Sequence, residues 1–552
     1  MNTRFVLPAA LVLSTAAASA QSALIREDDP APGGAAGELV TSINGVSANQ
    51  LGGYVTVLST DIGGTTTSQI WGSFSGGAGA LIRQETTIGN LLQGSFESSP
   101  GMGDSTVVYS ALCENLATMT TSIDTVFTDA TPIAVEEEPI PGTSDFWSFA
   151  SRPRSLRDGT PVFTAGFRTT PTGSTAGRAF VIGTTELFRT GDTLPNMPFP
   201  LSSNGIDFDS RASADGTNSI VVCDLDTSSL EDIAVAINGS GLVVAGTLLR
   251  ESEPIPAALN PVGIENWDNF DFVGITEQGD YFITGDTDGD SATDEFIFRN
   301  GDFFIREGNT VDGQVITGSI SHAFMNESGT LAYIWDVDTG AGSVEALFVE
   351  STLLLRVGDE VDWDGDGSID PGFVLDDFTG IESMAIGSDG TVYFTADVIT
   401  PGGELEGLFA IGGSGPSIGT NYCTALANSS GVPAVIRAQG STTAADNDVT
   451  LIASSVPPLQ FGIFLTSLVQ DQMPLGGGNL CLGGQIGRYS LPAQIQQADA
   501  AGTFSLVLDL NQTPQGPGLI AIGAGESWNF QAWFRDGGFG ANLTDGIEID
   551  FD

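Results

Sequence analysis

Two short stretches of this chain space carboxylates in a way that suits a hard cation. One carries Asp286, Asp288, Asp290 and Asp294, and the other Asp362, Asp364, Asp366 and Asp370. Calcium takes roughly six to eight oxygen ligands, and a tight loop with carboxylates on alternate residues turns them toward one centre. In the second stretch Gly367 stands at the sharp bend, where the first has Ser291. Position twelve of the second loop is Phe373 rather than Glu, so that stretch is no helix-loop-helix calcium hand. The expected cofactor is structural calcium, set against a plain solvated acidic turn.

Most other site chemistry is excluded by residue type. All 17 basic residues are Arg, so no Schiff-base, pyridoxal-phosphate or phosphate-loop lysine can exist. The single histidine, His322, sits in an alternating Ser-His-Ala-Phe stretch that reads as a strand, with no nucleophile elbow near it. Zinc sites built on two or three histidines cannot be made from it. A pair of carboxylates suffices for glycan hydrolysis, but among 69 acidic residues spacing singles out no pair, and no catalytic residue is assigned. Four cysteines are present; Cys423 and Cys481 fall in one C-terminal region and are expected to pair, whereas Cys113 and Cys223 occupy similar points of non-adjacent repeats and read as buried thiols.

The chain must position such groups outside the cell. Arg4, the apolar run from Phe5 to Ala18 and Ala18-Ser19-Ala20 form the three-part pattern of a cleavable export signal over residues 1–20. No later run reaches the roughly 18 to 20 apolar residues of a membrane span. A net charge of −52 repels phosphodiester backbones, so nucleic acid is excluded as a partner. Abundant Gly, with Val, Ile, Thr and Phe in short runs between turn residues, reads as all-β.

Self-similarity then organises the chain. An apolar pair, Arg or a neighbour, then acids with Pro or Gly recurs at Ala23–Pro30, Ile82–Glu85, Ala134–Pro139, Leu187–Asp192, Leu249–Pro254, Phe304–Gly308 and Leu354–Asp359, roughly 50 to 61 residues apart. In step with it runs a turn Gly followed by a β-rich segment, from Gly53-Tyr54 through Gly390 and Val392-Tyr393-Phe394. The first Arg-acid mark lacks a Gly-turn unit before it, and the last Gly-turn unit lacks an Arg-acid mark after it. A closed ring needs that offset, because the N-terminal strand can complete the final sheet and remove both free edges. Residues 21–413 are therefore expected to form a seven-bladed β-propeller closed by an N-terminal strand. Residues 414–420 read as a linker and 421–552 as a C-terminal β-sandwich domain. Trp528, Phe530, Ala532 and Phe534 share one face of its last aromatic strand as core, leaving Trp533 on the other.

The Asp362–Asp370 loop resembles the nine-residue calcium loops of integrin-type propellers. The set Asn421-Tyr422-Cys423, Asn479-Leu480-Cys481, Gly487-Arg488-Tyr489 and Trp528–Trp533 resembles a C-terminal module of exported planctomycete proteins, and the Arg-acid mark is similar to the propellers often attached to it. That resemblance covers nearly the whole mature chain and implies a secreted or cell-surface location, with no activity to carry over. Two functions remain: a binding or structural protein presenting a calcium-stiffened propeller face to a protein or glycan, or a carboxylate-dependent extracellular glycan hydrolase or lyase.

Overall fold

The computed structural model describes residues 21–551 apart from 75–78, 98–99, 208, 261–264, 366–368, 380–381, 389, 412–416, 431–432, 441, 443, 445–446, 448, 455, 499–501, 503, 517 and 538–539. The described chain is all-β and propeller-like, without an α-helix among those residues. No helix in it is long and apolar enough to cross a membrane. It divides into two units, one holding Gly53–Ile386 and Val392–Gly412 with the N-terminal strand, the other Gly413–Asp552 with the short segments Gln50–Gly52 and Gly387–Thr391.

In the first unit the Gly-turn marks and the Arg-acid marks become different strands of the same sheets. Each Gly-turn introduces a strand buried on both faces, such as Tyr54–Ile62, Pro161–Arg168, Leu331–Asp338 and Val392–Thr400. Four-stranded meanders result, for example Trp267–Ile275, Tyr281–Thr287, Phe296–Arg299 and Asp302–Arg306 in that order. The Arg-acid mark is the last strand of its sheet and the turn that leaves it. In that turn the residue three after the Arg caps the Arg amide: Asp29 accepts from Arg26 at 2.9 Å, Asp192 from Arg189 at 2.8 Å, Asn309 from Arg306 at 3.0 Å and Asp359 from Arg356 at 3.0 Å. The residue two after the Arg has positive φ, and is Gly191, Gly308 and Gly358 in three turns but Asp28 and Ser252 in two others. Gly is the residue such a turn favours, which is why the mark so often carries one.

The strand Ser22–Arg26 pairs antiparallel with Gly403–Ile411, Ser22 opposite Ala410 and Arg26 opposite Gly407, in a sheet that continues through Val392–Thr400 to Val374–Phe378. Each sheet shares an apolar cluster with the one that follows it in the chain. A further cluster joins Ala385, Tyr393 and Leu408 of the last sheet to Val40, Tyr54 and Trp71 of the first, with the Tyr54 and Tyr393 rings 4.8 Å apart.

The second unit contains two larger antiparallel sheets. One runs Ser417–Ile418, Val435–Gly440, Val449–Ser454, Phe504–Val507, and the other Thr420–Tyr422, Gly540–Asp550, Ser527–Asp536, Phe461–Ser467, Gly487–Arg488. Ser417–Ile418 lies inside the stretch expected to act as a linker; burial of Ile418 in the core draws it into the sheet. Ile436, Ala438 and Leu451 from one sheet meet Phe464, Phe530 and Ile547 from the other in one cluster that also takes Trp528, Ala532 and Phe534. Cys423 and Cys481 form a disulfide, and Cys113 and Cys223 are free and buried.

Candidate functional site

Polar side chains from several sheets of the first unit converge on Glu382. Arg154, from the strand Phe146–Ser155, pairs with its carboxylate, Arg211 lies 3.8 Å from it, and the Val46 amide donates to its carbonyl at 3.0 Å. Arg211 also reaches Asp209 at 3.4 Å. Burial, and then the charge of Arg211, push the Arg154 guanidinium well below its ordinary range, with Asp209 acting the other way. Beside this group Ser383 Oγ stands 3.2 Å from His322 Nδ1, and the imidazole stacks on Phe272 at 5.9 Å. Burial holds His322 down to about 4, so the imidazole is neutral at pH values above that. It is the hydrogen-bonded strand residue expected, in Gln314–Met325. Ser383 is fully buried, which leaves its hydroxyl no route to a substrate. The group fills space and carries charge; it offers no nucleophile.

An acidic cavity of about 450 Å³ adjoins it. Asp207, Asp209, Asp224, Asp271, Asp286 and Glu295 line it together with Phe270 and Phe272, and among the described residues no basic one does. Asp271 projects from the strand Trp267–Ile275, where the ladder shifts register between Phe270 and Val273, and its carboxylate accepts from Asn269 at 2.8 Å. Burial, reinforced by Asp286, pushes Asp271 up to about 6. Glu295 accepts the Ile320 amide at 3.1 Å and is held well above the usual carboxylate range by burial, by a hydrogen bond with Asp286 and by that residue's charge. A buried pair in which one member keeps its proton can donate at one oxygen and accept at another. Hydroxyl and amino groups of a ligand would find acceptors on all sides, with two phenyl rings for its apolar faces.

Asp286 thus belongs to this cavity, in the strand Tyr281–Thr287. Of its sequence neighbours, Asp288 accepts the Asn266 amide and side chain, both at 2.7 Å, Asp290 accepts from Ala292 at 3.2 Å, and Asp294 lies by Glu307. Among the described residues, three carboxylates that could hold one ion together occur at Asp362, Asp364 and Asp370, whose ligand oxygens lie within 4.8 Å of one another. Asp366 lies outside the described residues. The amides of Trp363 and Asp364 donate to Asp370 at 2.9 and 3.0 Å, and that of Gly365 to Asp362 at 2.9 Å. The same loop touches the N-terminal strand: Ser22 Oγ donates to Asp362 at 2.7 Å, the Ala23 amide to the Asp362 carbonyl at 3.1 Å and Arg26 to the Trp363 carbonyl at 2.9 Å.

Sequence reasoning missed the acidic cavity. Its one local signal is an acid on every second residue in Asp207-Phe208-Asp209. The walls themselves come from positions spread between Asp207 and Ile320.

No family model and no curated protein matches the chain. Among solved structures it is similar to prolyl oligopeptidase B from Galerina marginata, at 10% identity over 75% of this chain and 56% of that one, TM-score 0.32. It is similar to the subtype N11 neuraminidase-like protein of a bat influenza virus, at 9% identity over 71% and 97%, TM-score 0.26. It is also similar to PorZ, a surface component of the type-IX secretion system of Porphyromonas gingivalis, at 10% identity over 92% and 70%, TM-score 0.26. The chain spans 55% to 62% of the length of the three peptidases it matches. These likenesses concern a β-rich fold and extend to no activity.

Proposed function

We propose that this chain is an exported binding protein, secreted or held at the cell surface, that takes a glycan in the acidic cavity of a seven-bladed β-propeller. The reading rests on one observation: six carboxylates and two phenyl rings line a single cavity, with no basic side chain in its lining among the described residues. The carboxylates are too dispersed to form a three-ligand metal group among the described residues, so the cavity suits an organic ligand rich in hydroxyl and amino groups rather than a bare ion. The circular succession of core clusters and the pairing of Ser22–Arg26 with Gly403–Ile411 favour a seven-bladed ring closed by the N-terminal strand, and two sheets sharing one core favour a C-terminal sandwich. The export signal and the resemblance to planctomycete surface proteins belong to the same reading. A glycan array probed with residues 21–552 tests it: retention of neutral or amino glycans, reduced at least tenfold in Asp271→Asn, is expected. An array without retained glycans contradicts it.

Calcium belongs to the loop of Asp362, Asp364 and Asp370, with Asp366 as a fourth candidate ligand. The ion would neutralise crowded carboxylates beside the closing strand. Thermal unfolding with calcium and with chelator is the check. A rise in Tm in the wild type that Asp364→Asn lacks supports the assignment, and equal Tm values overturn it.

A second reading, a carboxylate-dependent glycan hydrolase or lyase, draws on the Glu295 and Asp286 pair, since one acid holding a proton beside another is the arrangement such chemistry uses. Release of shorter sugars from a retained glycan, abolished by Glu295→Gln, would favour it over binding alone.

A further inference from the structure

The second unit carries a cavity of a different chemistry. About 290 Å³ in volume, it is walled by Ile463, Leu465, Leu475, Leu480 and Trp533, with Arg488 beside them and no carboxylate in its lining. The sheet positions these groups by register: Ile463 stands opposite Trp533, and Leu465 opposite Arg488, across neighbouring strands. The alternate residues, Phe464, Ala532 and Phe534, point into the core, so the cavity belongs to the other face of the same sheet. The hairpin of Val469–Leu475 and Gly478–Gly483 brings Leu475 and Leu480 to it. Leu465 and Leu480 are nearly buried, while Leu475 is 45% exposed at the edge.

Arg488 is the distinctive member. It is exposed, and among the described residues its guanidinium has no ion-pair or hydrogen-bond partner, although the chain carries 69 acidic residues against 17 basic ones. An unpaired cation beside an apolar cleft has the complementarity of an amphiphile with one negative end. A sugar on Trp533 would need polar partners that the aliphatic walls do not supply.

We propose that this cavity binds a single-chain aliphatic carboxylate, its head group on Arg488 and its hydrocarbon against Trp533, Leu465 and Leu475. This site is independent of the acidic cavity and of any glycan. Isothermal titration of residues 21–552 with hexanoate, octanoate and decanoate, below their micellar concentrations, tests it. Affinity should rise about fourfold for each added methylene that enters the cavity. Decanol should bind more weakly than decanoate, and Arg488→Gln should weaken decanoate about tenfold while leaving decanol unchanged. Leu475→Ser, at the half-exposed edge where folding is not at stake, should weaken both. Absence of binding, affinity that does not depend on chain length, or an Arg488→Gln variant that holds decanoate as the wild type does would overturn the proposal.

Discussion

Glu382 occupies a demanding position. It is 7% exposed, adopts a positive φ of 59°, and faces two guanidiniums that burial has stripped of water. Removing one member of such a group leaves an uncompensated buried charge, which costs about 3 to 5 kcal/mol. Glu382→Gln should therefore lower the free energy of unfolding by about that amount in urea titrations. Glu406 behaves in the opposite sense. It accepts the Ile43 amide at 2.7 Å across to the first sheet, and burial, with Asp397 adding to it, pushes its carboxyl up to about 7 from 4.5. A folded-state pKa above the unfolded one means that its contribution is complete below about 4.5 and is lost as pH rises to about 7. Glu406→Gln, which keeps an acceptor for Ile43 without the charge, should match the wild type at pH 4 and exceed it by about 1 to 3 kcal/mol at pH 8. Equal stability of the two at pH 8 would refute this account of Glu406.

Among the elements, the recurrent turn after each outer strand was the most legible, because everything that makes it is local: an Arg, an acceptor three residues on, and a positive φ between them. Gly358 has φ 97° and nothing within 4 Å of an added Cβ, so the cost of Gly358→Ala is backbone strain alone, about 1 to 2 kcal/mol. Denaturant melts should register it; an unchanged midpoint would mean the turn relaxes. The strands and the disulfide were legible for the same local reason, in alternation and in cysteine context. A second repeated device was not. Glu295 and Glu406 each stand one residue before the third-strand residue that faces the Arg of the outer strand, and each accepts an inner-strand amide of the next sheet, Ile320 and Ile43. Arg178 holds the same position and donates to the Ile206 carbonyl at 3.2 Å instead. Glu345 stands there too, one residue before Ala346, which faces Arg356, so the acid does recur in the sequence; what spacing could not show is that its partner amide lies on the next sheet.

At the scale of the molecule, charge and topology act together. Arg154 and Arg211 meet at Glu382, next to an acidic cavity, in a chain whose net charge is −52. The N-terminal strand ties the last sheet of the first unit by its edge and is gripped on its other side by the Asp362 loop, so the start and the end of that unit meet at one seam. Rigid sheets can then present six carboxylates at fixed positions, one of them, Asp209, paired with Arg211, which is a lining that a ligand bearing hydroxyl and amino groups would recognise. The most direct measurement is calorimetric titration of residues 21–552 with a glucosamine trisaccharide and, separately, a uronic-acid trisaccharide, in the wild type and in the Asp224→Asn, Asp271→Asn double variant. Binding of the amino sugar by the wild type, at least tenfold weaker in the double variant and absent for the uronic acid, is the predicted result. Equal affinity for the two sugars, or amino-sugar binding that survives loss of both carboxylates, would contradict it.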